Sequence, residues 1–294
     1  MKLLAFHPSH DTANLKVGRL RADGVSIDPF EVTPAQAALG VLPLVEALVR
    51  GEPLPPVGAP VALNTVRLLA PIPRARRNIF CVGKNYHAHA REFAGSGFDS
   101  SAKSGGDIPS VPIVFTKVPE SVIGPGDAIV IPQSVSTAID YEAELTVVIG
   151  RGGKGIRKQD AMQHVWGYTI VNDVTARDWQ SRHQQWHMGK SFDTFCPMGP
   201  WLVSADECDG TRTQVRCFVN GEKRQDASTT DLIFDIPTLI ETISAGITLY
   251  PGDLIATGTP VGVGIGFKPP KYLQPGDVVR IEIDGIGTLE NPVR

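Results

Sequence analysis

The sequence predicts an α+β fold in which short strands form mixed sheets and a few short helices lie between them. The 294-residue chain contains 30 glycines and 24 prolines, which favour many turns and short strands over a helical bundle. Three segments share a Pro-Gly turn that leads into an apolar strand, at GPGDAIVIP, YPGDLIATG and QPGDVVRIEI. Residues 139–150, IDYEAELTVVIG, have the composition of another strand.

The first 70 residues predict a small N-terminal domain, and residues 71–294 a larger second one. Within the first domain, apolar segments predict strands at Met1–Phe6, Leu15–Leu20 and Gly24–Ile27. A helical pattern opens at Thr33 and continues over Leu42–Val49. The Pro-rich segment 51–60, GEPLPPVGAP, is a connector to the second domain.

The second domain alternates strands with a few helices. Its predicted elements are a strand at Asn78–Val82, helices at His87–Phe93, Lys158–His164 and Pro237–Ala245, and a hairpin around Asn220-Gly221. Asn-Gly is the strongest short signal for a hairpin turn. These elements complete the predicted α+β class.

Composition and charge exclude several classes of protein. The hydrophobic fraction of 42% and charged fraction of 20% are typical of a soluble globular protein. A net charge of −3 gives no reason to expect nucleic acid or an anionic membrane as partner. No apolar run could span a bilayer and no signal peptide is recognisable, so we expect a cytoplasmic protein. Four cysteines without a CxxC pair are expected to be reduced thiols and not a zinc site.

Three carboxylates recur at alternate positions in the strand predicted over residues 139–150. Asp140, Glu142 and Glu144 would therefore point to one face of that strand. Buried together, they need a compensating cation, and Mg²⁺ prefers such oxygen ligands. The alternative is a solvated face of an antiparallel sheet, which this segment alone favours.

A further carboxylate, Asp173, stands at a predicted strand-to-helix junction. An apolar strand ends at Asn172-Asp173, and Thr175 and Asp178 then have the spacing of a capping box. Junctions of this kind often carry site residues. In isolation, Asp173 is about as well explained as a second helix cap.

A histidine and a glutamate follow the Lys84-Asn85-Tyr86 turn. His89 and Glu92 are three residues apart and would share one face of a helix, which could equally be an exposed polar face. Residues 95–112, GSGFDSSAKSGGDIPSVP, come next and are rich in glycine and serine. A stretch of this length predicts either a functional lid or a disordered insert.

Several familiar motifs are incomplete. Gly189-Lys190-Ser191 is similar to the end of a phosphate-binding loop, but the required upstream glycine is replaced by Gln184. His183 and His187 have zincin spacing on a predicted helix, yet no glutamate stands between them. The chain has no G-x-S-x-G elbow. A nucleotide site, a zinc protease and a serine esterase are therefore not expected.

Five segments in order resemble the fumarylacetoacetate hydrolase family. They are VGKNYHAHAREF, DYEAELTVVIG, NDVTARDWQ, GKSFDTFCPMGP and TGTPVGVG, and they extend from about Asn78 to the C-terminus. The resemblance implies a β-rich catalytic domain of that family behind a small N-terminal domain. It also implies a homodimer, which would bury the edges of the many short strands.

The resemblance also implies roles for nine residues. Glu142, Glu144 and Asp173 would bind Mg²⁺ or Mn²⁺. Lys190 would stabilise an enolate, and His89, oriented by Glu92, would activate a water. The remaining implied site residues, which would bind substrate, are Thr259, Arg177 and Gln180.

The leading expectation is a hydrolase that cleaves a carbon–carbon bond in an acylpyruvate or related 1,3-diketo acid. Water would attack the carbonyl distal to the pyruvoyl end, and pyruvate enolate would leave. The alternatives are oxaloacetate decarboxylation or a hydroxymuconate-type isomerisation at the same site, and, more remotely, a non-catalytic binding protein. In the enzymatic cases the partner is a small keto acid, whose acyl group the sequence does not name.

Overall fold

The computed structural model describes residues 1–8, 13–95 and 108–294, and these ranges confirm the α+β class. Their strands are β1 (Lys2–Pro8), β2 (Lys16–Leu20), β3 (Ser26–Pro29), β4 (Val61–Ala62), β5 (Val66–Leu69), β6 (Ile79–Gly83), β7 (Ile113–Lys117), β8 (Val122–Ile123), β9 (Ile139–Asp140), β10 (Ala143–Ile149), β11 (Val165–Asn172), β12 (Thr175–Ala176), β13 (Cys196–Ser204), β14 (Gln214–Val219), β15 (Glu222–Ser228), β16 (Leu254–Ala256), β17 (Val278–Ile283) and β18 (Gly287–Pro292).

The helices of the same ranges are short. The α-helices are α1 (Pro34–Ala37), α2 (Leu42–Val49), α3 (His87–Ala94), α4 (Arg177–Arg182), α5 (His187–Lys190) and α6 (Ile236–Ser244). Single 3₁₀ turns or short 3₁₀ helices cover Leu63–Thr65, Pro119–Ser121, Lys158–His164, Thr229–Asp231 and Gly264–Gly266. None of the helices described is long and apolar enough to cross a membrane.

One large mixed sheet organises the molecule. Ten of its strands follow the order β4-β3-β2-β1-β13-β11-β10-β16-β6-β7, while β5 pairs with β1 and β8 with β13. Most neighbours are antiparallel, but β6 runs parallel to β16 and β8 runs parallel to β13. Strands β10 and β11 therefore lie inside the sheet, where both of their edges are paired.

A second, antiparallel sheet has the order β15-β14-β17-β18. Its β14–β15 hairpin turns at Asn220 and Gly221, whose φ angles are 52° and 80°. Two successive residues in the left-handed region match the turn that Asn-Gly favours, so the predicted hairpin is confirmed.

The two faces of β10 belong to different hydrophobic clusters. Leu145 and Val147 pack in a cluster with residues of the second sheet and α6, whereas Val148 packs with residues of β1 and α2. Alternate side chains point to opposite faces of the strand. Because both faces are covered by these clusters, every residue of the strand is buried. The strand thus provides a dry, rigid support for the acidic residues at its start.

The N-terminal residues continue the large sheet. Strand β1 pairs with β13 through Lys2 opposite Val203 and Leu3 opposite Leu202. The division into a domain of residues 1–70 and one of residues 71–294 stays a prediction.

Three sequence predictions about local structure are wrong in detail. The strand expected over residues 139–150 is divided into β9 and β10, because Tyr141 and Glu142 leave the ladder. Within β10 the predicted alternation holds. Asp140 pairs in the small β9–β12 ladder instead, opposite Thr175.

The helix expected to carry both His183 and His187 is also interrupted. Helix α4 ends at Arg182, and His187 begins α5. The predicted capping box is not formed either, because the Thr175 hydroxyl donates to the carbonyl of Asp173 and caps no helix. The predicted lid at residues 95–112 falls mainly on residues 96–107, which lie outside the described residues.

Candidate active site

Three buried carboxylates meet where β10 begins and β11 ends. Glu142 precedes β10, Glu144 lies on it, and Asp173 directly follows β11. Ala143 pairs with Asn172 across the ladder, and the Asp173 amide donates to the Glu142 carbonyl at 2.8 Å. One carboxylate oxygen from each of the three side chains lies within 4.8 Å of the others. The sheet register thus produces the acidic cluster that the sequence predicted.

Two buried lysines neutralise part of this cluster. The Lys190 ammonium lies 2.7 Å from Glu142 Oε2 and 2.7 Å from Asp173 Oδ2. Lys117, at the end of β7, donates to Asp173 Oδ1 at 2.8 Å and to the Val174 carbonyl at 3.1 Å. It also donates to the backbone carbonyl of Lys190. Lys117 therefore holds one carboxylate of the cluster and the end of α5 together.

Burial and crowding act differently on the carboxylates. The pKa of Glu144 is raised well above its usual value, first by burial and then by the neighbouring charges of Asp173 and Glu142. Burial also opposes ionisation of Glu142, but Lys190 and Arg177 outweigh it and lower the pKa of that carboxyl to about 2. Burial acts against the charge of Lys190 too, yet its two carboxylate partners raise its pKa. Burial and the two neighbouring carboxylates therefore outweigh Lys190 at Glu144, whereas Lys190 and Arg177 outweigh burial at Glu142.

Asp140 lies outside the three-carboxylate cluster and instead binds Arg177, which contacts the cluster. Its carboxylate accepts hydrogen bonds from the amides of Gly264 at 2.6 Å and Ile265 at 2.9 Å. It also accepts one from Arg177 Nε at 2.9 Å. A Cβ on Gly264 would come within 2.7 Å of Asp140 Oδ1, so this approach requires glycine. Asp140 thus orients Arg177.

Arg177 is fully buried and connects Asp140 to Glu142 of the cluster. Its Nη1 lies 2.7 Å from Glu142 Oε1 and donates to Gln180 Oε1 at 3.1 Å. Among the described residues, its buried Nη2 has no hydrogen-bond partner. The Nη2 group of this buried guanidinium can therefore donate a hydrogen bond to an anionic ligand.

The predicted histidine–glutamate pair is formed on α3. His89 Nδ1 lies 3.1 Å from Glu92 Oε2, and His89 is 4% exposed, so the exposed-face alternative is wrong. Glu92 also accepts from the Gly262 amide at 3.0 Å and 3.2 Å. A Cβ on Gly266 would meet Glu92 Oε1 at 2.1 Å. The carboxylate therefore links the imidazole to the glycine-rich turn.

Thr259 is held by a residue that the sequence analysis did not select. Gln225, on β15, donates from Nε2 to Thr259 Oγ1 and to the Pro260 carbonyl, both at 2.7 Å. Its Oε1 accepts from the Ala143 amide at 3.0 Å. A single buried amide side chain thus connects the second sheet, the threonine and the start of β10.

These groups surround one pocket with an empty volume of ≈ 260 Å³. Its walls are Val82, Gly83, Lys84, His89, Phe93, Glu142, Glu144, Arg177, Gln180, Trp186, Lys190 and Thr259. Seven of the nine predicted site residues are among them. The other two, Asp173 and Glu92, contact Lys190 and His89 respectively. The structure therefore brings all nine together, while their roles remain predictions.

Three residues of the site have roles that the sequence does not indicate. Lys117 only ends an apolar strand, Asp140 has the same alternate spacing as Glu142 and Glu144 yet pairs with Arg177, and Gln225 lies in a polar hairpin. Their partners are 37 to 82 residues away, as in Lys117–Asp173, Asp140–Arg177 and Gln225–Ala143. Such contacts depend on the packing of distant strands, which local periodicity does not encode.

The donor set fits a divalent cation with a preference for oxygen. Three buried cations (Lys117, Arg177 and Lys190) form ion pairs with Asp140, Glu142 and Asp173, whereas Glu144 accepts a hydrogen bond from the Gly258 amide at 2.9 Å. Carboxylate oxygens are the ligands that Mg²⁺ and Mn²⁺ accept. The crowded Glu144 carboxylate is the group that such an ion would relieve most.

Comparison with known proteins shows which family most of the chain matches. Residues 78–294 match the family described as fumarylacetoacetate (FAA) hydrolase, C-terminal. The chain is 53% identical over 233 residues to oxaloacetate tautomerase YisK of Bacillus subtilis, covering 79% of this chain and 74% of that protein. It is 44% identical over 233 residues to the human mitochondrial oxaloacetate tautomerase FAHD2A, covering 78% of this chain and 70% of that protein.

Solved structures agree with this relationship over the whole chain. A fumarylacetoacetate hydrolase from Exiguobacterium antarcticum superimposes with a TM-score of 0.82 at 39% identity, covering 100% of this chain and 99% of the other. A maleylpyruvate hydrolase from a Sphingobium species gives 0.77 at 30% identity, with 100% and 99% coverage. The chain belongs to the fumarylacetoacetate hydrolase family, as its five motifs indicated.

Proposed function

We propose that the protein interconverts the keto and enol forms of oxaloacetate with the help of a divalent metal ion. The observation that carries the proposal is the buried carboxylate cluster, with Lys190 and His89 on the same pocket. Relatives that cover more than three quarters of the chain are named oxaloacetate tautomerases. This agreement favours the oxaloacetate alternative over the acylpyruvate hydrolysis that was the leading expectation.

Charge stabilisation is the task of the cluster. Glu142, Glu144 and Asp173 would hold Mg²⁺ or Mn²⁺. When bound, the ion supplies a Lewis acid that stabilises negative charge on the oxygen of a 2-oxo acid. Lys190 adds a second positive charge beside the same carboxylates, and its raised pKa keeps it an ammonium group. A fixed cation in a water-poor site stabilises an enolate far better than the same cation in water.

Proton transfer is the task of His89. Because the Glu92 carboxylate accepts at His89 Nδ1, it favours the tautomer that carries its proton there and leaves Nε2 as the base. His89 Nε2 would remove a proton from C3 of the keto acid and deliver it to the enolate oxygen at C2. The reverse transfer regenerates the keto form. Neither direction consumes water or breaks a carbon–carbon bond.

Substrate binding would use Arg177, Gln180 and Thr259. The Nη2 group of Arg177, which has no hydrogen-bond partner among the described residues, suits a carboxylate oxygen. Gln180 shares the guanidinium with Glu142 and lines the pocket beside it. Thr259 offers a hydroxyl that Gln225 orients. All three residues line the pocket together with Glu142 and Glu144.

The decisive assay follows the decay of enol-oxaloacetate by its ultraviolet absorbance. Wild-type protein with Mg²⁺ should accelerate that decay, and chelation with EDTA should remove the acceleration. Glu290→Gln, an exposed carboxylate on β18, is the matched control for site variants and should behave as wild type. Full acceleration after exhaustive chelation would contradict the metal assignment, and no acceleration with Mg²⁺ would contradict the function.

A second candidate is hydrolysis of an acylpyruvate. The His89–Glu92 pair could equally activate a water. Structures with 100% coverage of this chain include one named a maleylpyruvate hydrolase. Release of pyruvate from a panel of acylpyruvates, faster than the tautomerisation of oxaloacetate, would favour this candidate.

We also propose a homodimer. The outer strands β4 and β7 of the large sheet, and β15 of the small one, each have one edge without a partner strand in the described structure. The outer edge of β18 is instead bonded to the backbone of residues 126–131. Exposed edges favour association or protection by another chain. Light scattering should give about twice the 31.6 kDa of one chain, and a mass near 31.6 kDa would contradict the dimer.

A further inference from the structure

Lys84 occupies an unusual position on the wall of the active-site pocket. It directly follows β6, is 5% exposed and lines the pocket together with His89 and Lys190. Its φ angle is 54°, in the left-handed region that favours glycine. Among described non-glycine residues, only Thr194 and Asn220 share a positive φ, and neither lines the pocket.

A lysine in this conformation is strained and persists only where the surroundings impose it. Residues on both sides impose it here. A Cβ on Gly83 would meet the Trp186 ring at 2.2 Å, so the indole packs directly on the backbone before Lys84. Asn85 donates to the Thr257 and Phe234 carbonyls at 2.7 Å and 3.1 Å, and accepts from the Phe234 amide at 2.8 Å.

The ammonium group of Lys84 lies near the ring that also borders the catalytic groups. Lys84 Nζ is 6.0 Å from the centre of the Phe93 ring. Arg177 Cζ is 5.9 Å from that centre, and the His89 ring centroid is 6.1 Å from it. Lys84 therefore brings a third positive charge to a pocket that already contains Arg177 and Lys190.

The three cations lie on different elements around the pocket. Lys190 and Arg177 are paired with Glu142, Asp173 and Asp140, on the side where a metal-bound 2-oxo acid would lie. Lys84 comes from a different element, the turn after β6, and is next to the aromatic wall. A four-carbon 2-oxo dicarboxylate has one carboxylate beside its keto group and another at its distal end.

We propose that Lys84 determines the substrate class by binding the distal carboxylate of such a dicarboxylate. The assignment rests on the proposed function, which identifies the site as one for oxaloacetate. The turn after β6 places the buried Lys84 side chain on the pocket wall, and an ammonium group binds a carboxylate there by a charge-assisted hydrogen bond. Ligands without the distal carboxylate lose this contact and should bind more weakly.

The test compares two unreactive ligands that differ only at the distal end, malate and lactate. Calorimetry on the Mg²⁺-loaded protein should show malate binding more tightly to wild type. Lys84→Met removes the charge and keeps the side-chain length, and should lower the malate-to-lactate affinity ratio about tenfold or more. Lys154→Met, at an exposed turn far along the chain, is the matched control and should leave the ratio unchanged.

Lys84→Asn is a second variant that controls for misfolding of Lys84→Met, because asparagine tolerates a positive φ and carries no charge. It should keep the wild-type melting temperature and lower the ratio as Lys84→Met does. An unchanged ratio in both variants overturns the assignment, as does equal binding of malate and lactate by wild type. Failure of the proposed function has a different signature: enol-oxaloacetate decay is not accelerated, whatever the binding ratio shows.

Discussion

The carboxylate cluster and the His89–Glu92 pair lie on the same pocket but are built in different ways. The cluster stands on β10 and β11, inside the large sheet, and each of Glu142 and Asp173 contacts two buried cations. Within the described structure, the His89 side chain makes one hydrogen bond, to Glu92, and both residues lie on the eight-residue helix α3. That helix ends just before residues 96–107.

This difference suggests that the two chemical tasks are separable. The groups proposed to stabilise charge are fixed by sheet register and by several ion pairs. His89, the group proposed to move a proton, is positioned by helix α3 and by Glu92, which accepts a hydrogen bond from the Gly262 amide. Substitutions in the cluster should therefore disable every reaction of the site. Substitutions of the pair should affect only reactions that need proton transfer.

The largest loss is expected from a substitution within the cluster. Glu144→Gln removes one of the three carboxylates while keeping its shape. Both tautomerisation and decarboxylation of oxaloacetate should fall at least about 100-fold, since changes even to groups behind metal ligands cost 10–100-fold. Calorimetric titration with Mn²⁺ should show weaker binding. Wild-type metal affinity in this variant would contradict the proposed ligand set.

A smaller loss is expected when the support behind the cluster is removed. Lys117→Met deletes the donor to Asp173 Oδ1 and leaves two buried carbonyls without that partner. Metal affinity should fall roughly 10–100-fold, although Lys117 does not line the pocket. Saturating Mn²⁺ should restore part of the activity. Equal affinities in Lys117→Met and the exposed control Lys154→Met would show that Lys117 does not position the ligand.

The smallest effect on turnover is expected at Gln225. Gln225→Leu leaves the buried Ala143 amide without its acceptor and releases Thr259. The free energy of unfolding should fall by about 1–3 kcal/mol, the usual cost of an unsatisfied buried group. KM should rise with little change in kcat. Exposed Gln133→Leu provides the control, and an unchanged KM in Gln225→Leu would exclude a role in orienting Thr259.

The sequence predicted the parts of this site that depend on local spacing. Glu142 and Glu144 are only two residues apart and so lie together at the start of β10, and the i, i+3 pair His89 and Glu92 has fixed geometry on a helix. The Asn220-Gly221 turn is likewise a local property.

Contacts between distant strands could not be predicted in this way. The break after Asp140 arises because its carboxylate binds the amides of Gly264 and Ile265, more than 120 residues further along the chain. The interruption between His183 and His187 accompanies the packing of Trp186 against Gly83. In both cases tertiary contacts override a local pattern.

The most direct test of the account is the effect of His89→Ala on two reactions of one substrate. Tautomerisation needs His89 Nε2, and a general base contributes on the order of 10² to 10⁴ in rate. Decarboxylation of oxaloacetate needs mainly charge stabilisation by the cluster and Lys190, and metal binding should stay intact. Both rates are measured on the same Mg²⁺-loaded sample. The account predicts that the ratio of tautomerisation to decarboxylation falls at least about tenfold. An unchanged ratio, with metal affinity preserved, would contradict it.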